Sequence, residues 1–127
     1  MIDRLRTFRL VYISTPYSLY VDGIEAAFID SCKVTARLIS AGVKAYSPIA
    51  HTHPVAIHGG LDALDHGFWL SFNETMMDAA DACAVAMMSG WHYSKGIDHE
   101  IAFFRARGKP VIFIDPMINV SSIEVLA

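Results

Sequence analysis

The sequence predicts a single-domain, three-layer α/β/α fold around a mostly parallel sheet of four to five strands. Short apolar runs alternate with longer segments in which apolar residues recur at helical spacing. Gly and Pro residues separate many of these segments. Of the 127 residues 54% are hydrophobic, which suffices for one core without disulfides or bound metal. Residues 1–127 are therefore expected to form one domain.

The first part of the chain has the pattern of a strand, a helix and a second strand. Residues 9–15 (RLVYIST) form a β-branched and aromatic run that Pro16 ends, as expected of a buried strand. Residues 22–41 carry apolar side chains at helical spacing, and Gly42 follows at the position of a C-cap. Residues 43–46 then return to an extended pattern.

The middle of the chain predicts a long connection, a helix and a third strand. Pro48, three histidines and a Gly-Gly pair lie between residues 47 and 65, and connections of this length are commonly functional or mobile. Residues 68–80 return to helical spacing. Residues 81–88 (DACAVAMM) form an apolar run of strand length that ends before Gly90.

The last predicted elements are a helix at 96–107, which Gly108 ends, and a strand at 109–115 (KPVIFID). The tail, residues 117–127, shows no clear pattern. Strands that alternate with helices predict a parallel sheet with right-handed crossovers and helices on both faces. The expected arrangement is flavodoxin- or Rossmann-like.

Composition limits the classes of partner that we expect and indicates a cellular compartment. The chain has 10 basic and 13 acidic residues and no run of Lys or Arg, so polymeric nucleic acid is not an expected partner. No apolar run is long enough for a membrane span, and we expect no signal peptide. Cys32 and Cys83 are far apart among apolar residues, which predicts buried free thiols and a cytoplasmic location.

Two segments are expected to meet at the ligand crevice, which lies at the carboxyl ends of the strands in such sheets. One is the turn after the first strand, residues 14–18 (STPYS), and the other is 90–100 (GWHYSKGIDHE). Both offer hydroxyls, backbone N–H groups and a helix N-terminus. That combination is typical of a site for an anionic group such as phosphate.

Glu100 is the strongest candidate for chemistry in these segments. A carboxylate there can attack an electrophilic carbon or hold a proton, and the alternative is that it only complements the helix dipole. Asp98 points about 200° away from Glu100 around the helix and cannot share its face. Asp78 and Asp81 are the other candidates for a second acid, and a structural role is favoured for Asp81.

The histidines and tryptophans carry weaker signals. The spacing of His51, His53, His58 and His66 matches no standard zinc pattern, so no metal or other cofactor is predicted. Loop polarity or substrate contact is the preferred interpretation. Trp69 and Trp91 either stack on a base or close the core.

Four segments carry a family resemblance: YISTPYS, SPIAHTHP, FWLSFN and DACAVAMMSGWHYSKGIDHEIAFFRARGKPV, in this order between residues 12 and 111. With them the chain resembles the nucleoside 2-deoxyribosyltransferase-like superfamily, and within it most closely the DUF1937 branch. The resemblance implies cleavage or transfer of the N-glycosidic bond of a (deoxy)nucleoside or its 5′-monophosphate. The implied partner is thus a small-molecule nucleoside or nucleotide.

The resemblance also implies residue roles. Glu100 would be the nucleophile that captures the sugar C1′, as a carboxylate does in retaining glycosidases. Tyr12 would lie beside it and orient it, and Ser94 and Gly96 would receive the 5′-phosphate or 5′-hydroxyl. The residues predicted to contact the substrate are Ser14, Thr15, Tyr17, Ser18, Trp69, Gly90, Trp91, Ser94 and Gly96.

Asn73 departs from the superfamily pattern, which often has an aspartate four residues after the tryptophan. An amide cannot supply a proton as a carboxylic acid does. Either Asn73 only binds the base, or Glu74 or a histidine is the acid, or the chain is a catalytically inactive nucleotide-binding module. The resemblance further implies a homodimer or larger homo-oligomer, for which the apolar Phe68-Trp69 segment offers a surface.

Overall fold

Four parallel strands in the order β2-β1-β3-β4 form the sheet of the computed structural model, which describes residues 2–118. The strands are β1 (Val11–Ser14), β2 (Ala45–Tyr46), β3 (Ala82–Ala86) and β4 (Val111–Ile114). The helices are α1 (Ile2–Arg6), α2 (Ile24–Ser40), α3 (Pro48–Gly59), α4 (His66–Ala79) and α5 (Lys95–Ala106), and a 3₁₀ turn spans Trp91–Tyr93. The predicted parallel α/β fold is confirmed.

Helices cover both faces of the sheet, as predicted. Because successive strand residues point to opposite faces, Val11 and Ile13 of β1 join one core with residues of α1 and α2. Tyr12, between them, joins a second core with Met77 of α4 and Phe104 of α5. All four residues of β1 are buried, so β1 is the centre of the domain.

The prediction of a loop across residues 47–65 was wrong, since most of it is helix α3. The Ser47 hydroxyl accepts a hydrogen bond from the Ala50 N–H at 3.2 Å and caps the helix. Pro48 follows at the first helical position, where a missing N–H has no cost. Gly60 ends the helix with a left-handed φ of 75°. A second proline, Pro54, is tolerated inside α3.

Several smaller elements also differ from expectation. Helix α1 was not predicted, and it is held by the burial of Ile2 and Leu5. The second strand is reduced to two residues. Cys83 is buried as expected, whereas Cys32 is only partly buried, and both thiols are free. None of the helices among residues 2–118 has the length and apolar character needed to span a membrane.

The strand order places a switch point at the carboxyl end of β1. The chain leaves β1 through α2 to reach β2 on one side, and α3 and α4 return it to β3 on the other side. The segments that follow β1 and β3 therefore border the same crevice. Such crevices are the usual ligand sites of open parallel sheets.

Candidate active site

A pocket of about 560 Å³ opens at this switch point. Its walls come from residues 15–19 after β1, from α3, from α4 and the residues before it, and from residues 89–100 after β3. The volume lies in the range of small-molecule sites. Of the residues predicted to contact substrate, those that line the pocket are Thr15, Tyr17, Ser18, Trp69, Gly90, Ser94 and Gly96, together with Asn73 and Glu100.

Glu100 reaches the pocket from the second turn of α5. It lies three residues after Ile97 and four before Phe104, so it shares their face of the helix. Ile97 and Phe104 are buried against the sheet, which holds Glu100 at the inner end of the pocket. Glu100 thus occupies a position on the buried face of α5, where an apolar residue is usual.

Burial raises the pKa of Glu100 to about 7, and the hydroxyls of Tyr12 and Ser14 oppose this change. The residue keeps some surface open to the pocket, but protein atoms surround its carboxyl. Near neutral pH both the neutral and the ionised forms are therefore populated. A group of this kind can serve as nucleophile or as acid and base.

Tyr12 lies behind the pocket, on the sheet side of Glu100. Burial and then the Glu100 charge raise the pKa of the Tyr12 hydroxyl well above its usual value, which keeps it protonated. The hydroxyl influences Glu100, yet no hydrogen bond of ordinary geometry joins the two groups, and the buried Tyr12 oxygen is without a partner. The contact between them is thus electrostatic, with an O–H available to donate.

Ser14 and Thr15 continue β1 into the pocket region. Ser14 Oγ lies 3.1 Å from Cys83 Sγ on the neighbouring strand, and burial raises the Cys83 pKa to about 12. Thr15 lines the pocket, and its buried hydroxyl has no partner. The described residues hold four buried side-chain polar atoms without a partner, and three of them belong to Tyr12, Thr15 and Asn73. Buried polar atoms of this kind are normally paired, and two of these three belong to residues that line the pocket, Thr15 and Asn73.

The N-terminus of α5 forms one end of the pocket. Ser94 Oγ caps this helix by accepting from the Ile97 N–H at 3.2 Å. The N–H groups of Lys95 and Gly96, in the first turn, lack intrahelical acceptors. Lys95 also lines the pocket, although the sequence interpretation did not single it out. This end therefore combines free N–H groups, the helix dipole and a positive charge, as an anion site requires.

The opposite wall carries the aromatic and amide groups of α4. Trp69 lines the pocket and donates from Nε1 to the Asp62 carbonyl at 3.0 Å. Asn73 lines it one turn further on, and its buried Oδ1 is unpaired. The structure places Trp91 elsewhere: its ring packs on Phe113 of β4, with centroids 5.6 Å apart.

A comparison with protein families finds a match to the domain of unknown function DUF1937 over residues 9–115. The chain belongs to the DUF1937 family. The DUF1937 match begins just before β1 and ends just after β4, so it includes the whole sheet and every residue of the pocket. No curated protein gives a significant match.

The other acids considered for the DUF1937 site lie outside the pocket. Asp98 is an exposed residue in the first turn of α5, as expected. Asp81 accepts from the Arg9 N–H at 2.8 Å at the amino end of β3, in the predicted structural role. Asp78 pairs with Arg107 at 3.4 Å. Glu74, an alternative acid, pairs with His99 at 3.3 Å, and His99 itself lines the pocket.

The histidines of the DUF1937 chain are helical or flank helices, rather than part of a loop. His51 stacks on Phe72, and His66 lines the pocket. His53 is buried between Tyr17 and Glu25, an arrangement that the sequence did not indicate. Residues 2–118 contain no group of three or more His, Cys, Asp and Glu side chains suited to hold a metal ion.

Proposed function

We propose that this DUF1937 protein is an N-glycosidase or 2-deoxyribosyltransferase, which cleaves the N-glycosidic bond of a (deoxy)nucleoside or its 5′-monophosphate. The observation that carries the proposal is the position of Glu100. Within residues 2–118 it is the one carboxyl-bearing residue among those that line the pocket, and burial raises its pKa to about 7. A carboxylate held in this way is suited to attack an anomeric carbon.

In the proposed reaction the Glu100 carboxylate attacks C1′ as the bond to the base lengthens. The sugar acquires oxocarbenium character, which the negative charge stabilises before the covalent bond forms. Water then releases the sugar in hydrolysis, or a second base accepts it in transfer. Tyr12, protonated and adjacent, orients the carboxylate through the dipole of its O–H group.

The pocket also suggests how a nucleotide would lie. A 5′-phosphate fits the end formed by Ser94, Lys95 and Gly96, where N–H groups and a positive charge are available. The sugar would then lie over Glu100 between the two walls. The base would extend toward Trp69 for stacking and toward Asn73, whose amide oxygen accepts an N–H of the base.

The free thiols fit a reducing compartment, and we propose a cytoplasmic location for the protein.

The second candidate is a nucleotide-binding module of the same fold without catalysis. Asn73 favours it, because an amide cannot protonate a departing base. Both candidates use the same pocket and the same phosphate end. They differ in whether Glu100 forms a bond to the sugar.

One experiment separates the two candidates. The purified protein is incubated with a panel of deoxynucleosides, ribonucleosides and their 5′-monophosphates, and released base is measured by chromatography. Glu100→Ala should abolish release, whereas Asp98→Asn, an exposed change on the same helix, should leave it unchanged. If calorimetry detects nucleotide binding but no base is released, the binding module is the correct function. If neither occurs, both candidates are wrong.

A further inference from the structure

Tyr17, His53 and Glu25 form a continuous chain of hydrogen bonds that ends at the pocket. The Tyr17 hydroxyl lies 2.6 Å from His53 Nδ1, and His53 Nε2 lies 2.7 Å from a Glu25 carboxylate oxygen. Tyr17 lines the pocket, whereas the His53 side chain is only 3% exposed. The three residues come from the segment after β1, from α3 and from α2. We call this set of three residues the relay.

The packing fixes the imidazole in one orientation. Phe28 of α2 stacks on the His53 ring with centroids 4.7 Å apart, and the Tyr17 ring meets it edge-on at 5.7 Å. Both ring nitrogens therefore face oxygen partners. A histidine that merely filled the core would not require a carboxylate on one side and a pocket-lining phenol on the other.

The chemistry of the partners determines which way protons run. An ionised carboxylate only accepts, so His53 Nε2–H donates to Glu25. In a neutral imidazole Nδ1 then accepts the Tyr17 proton. In an imidazolium Nδ1–H donates instead to the Tyr17 oxygen, which leaves the Tyr17 O–H free to point into the pocket. His53 Nε2–H donates to Glu25 in both states.

We infer that Tyr17 is the proton donor to the leaving base and that His53, held by Glu25, replaces the proton that Tyr17 gives up. This inference rests on the proposed function and supplies the acid that Asn73 cannot provide. Burial, and then the charge of Glu25, raise the pKa of Tyr17, so the phenol keeps its proton until the base takes it.

Bonds and protons balance in the proposed step. A Glu100 carboxylate oxygen forms a bond to C1′ as the bond from C1′ to the base nitrogen breaks. The electron pair of that bond stays on the base nitrogen, which takes the Tyr17 phenolic proton. The Tyr17 oxygen takes the proton from His53 Nδ1, and the imidazolium becomes neutral. Glu25 keeps its hydrogen bond to Nε2–H throughout. Before the next turnover, water in the pocket protonates the Tyr17 oxygen as the Tyr17 proton returns to His53 Nδ1.

The test compares two leaving groups on one sugar. A natural 2′-deoxynucleoside 5′-monophosphate needs a proton on the departing base, whereas 4-nitrophenyl 2-deoxyriboside 5′-phosphate releases a stable phenolate without one. Tyr17→Phe removes one oxygen, and His53→Gln retains a hydrogen-bonding side chain without an ionisable proton. Both variants are checked for folding by thermal melting, and Tyr17→Phe alone suffices if His53→Gln does not fold.

The relay predicts that Tyr17→Phe and His53→Gln lower kcat on the natural substrate about 100-fold or more, in the range of general-acid effects, and on the nitrophenyl substrate less than about fivefold. Glu100→Ala should lose both activities. Equal losses on the two substrates, or no loss on either, would overturn the relay while leaving the proposed function intact. A wild-type protein that releases base from no member of the nucleoside and nucleotide panel would overturn both.

Discussion

The Tyr12 hydroxyl and the Glu100 carboxyl are buried neighbours on opposite sides of the β1–α5 interface, and each alters the pKa of the other. The carboxylate raises the pKa of Tyr12, and the hydroxyl lowers that of Glu100 against the larger effect of burial. The phenol is therefore a fixed donor beside a carboxyl that titrates near neutrality. In the proposed reaction this pair sets the direction from which the nucleophile attacks.

Tyr12→Phe should lower kcat for base release about 10- to 100-fold while leaving the free energy of unfolding nearly unchanged. The substitution removes an O–H dipole that stabilises the ionised nucleophile. Because this hydroxyl makes no hydrogen bond of ordinary geometry, its removal costs little stability. Steady-state kinetics and urea unfolding measure the two effects. Tyr46→Phe is the matched control, since its hydroxyl is also buried and unpaired but Tyr46 does not line the pocket. Equal kinetic losses in both variants would contradict an orienting role for Tyr12.

Glu100→Gln should make the protein more stable than wild type above pH 7. The pKa of Glu100 is raised from 4.5 when unfolded to about 7 when folded, so the fold favours the neutral form. Its contribution is fully favourable below the unfolded pKa and is lost as pH rises through the folded pKa. The loss amounts to about 3 kcal/mol, since a pKa difference of one between the two states corresponds to about 1.4 kcal/mol.

Urea unfolding at about pH 5 and pH 8.5 measures this difference. The amide of Glu100→Gln does not ionise, so the variant does not lose stability as pH rises. Its free energy of unfolding should therefore exceed that of wild type by a margin that grows between these two pH values. Asp98→Asn serves as the control on the same helix. An advantage that does not change with pH would show that Glu100 is not destabilised by ionisation.

Lys95→Met should weaken the binding of 5′-monophosphates about 10-fold or more and that of the matching nucleosides much less. Lys95 lies at the end of the pocket formed by the α5 N-terminus, where it complements the proposed phosphate. Calorimetry with a monophosphate and its nucleoside gives the two dissociation constants. Lys44→Met, at an exposed site outside the pocket, should change neither. Equal weakening for both ligands would place the phosphate elsewhere.

The family resemblance implies a homodimer, and we propose that Phe68→Glu converts this dimer into monomers. Phe68 is 54% exposed, and its apolar neighbours Leu64 and Phe72 are 46% and 38% exposed. A patch of this kind on α4 and the residues before it suits an interface between two copies. Sedimentation velocity of wild type and variant gives the masses. Ile57→Glu, at an exposed apolar site on α3, tests whether the effect is confined to α4. A wild-type monomer would contradict the interface.

Local patterns were sufficient to predict the sheet, the helices on both of its faces and the position of Glu100. Each follows from spacing along one segment: Glu100 lies on the stripe of Ile97 and Phe104, and the strand alternation places Tyr12 on the same side. Helix α3 was predicted as loop because Pro48, the three histidines and the Gly59-Gly60 pair outweighed the signals for a helix start. Ser47 followed by Pro48 is such a signal, and it was readable in the sequence.

Contacts that depend on tertiary packing could not be predicted in this way. His53 is separated in sequence from Tyr17 by 36 residues and from Glu25 by 28, and no periodicity links the three. The direction of the Trp91 side chain depends on the 3₁₀ turn that follows Gly90. Gly90 itself has a left-handed φ of 77°. Lys95 becomes a candidate phosphate-binding residue only because it lies at one end of the pocket. Four separate stretches of the chain form that pocket.

Those four stretches give the pocket a further property. A molecule that fits it would bridge parts of the chain as distant as Thr15 and Glu100, which are separate in the unfolded state. Occupancy would therefore oppose unfolding, and the melting temperature would rise with the concentration of a correct ligand. A thermal-shift screen of nucleosides and nucleotides can thus identify the ligand of this protein whether or not it turns that ligand over.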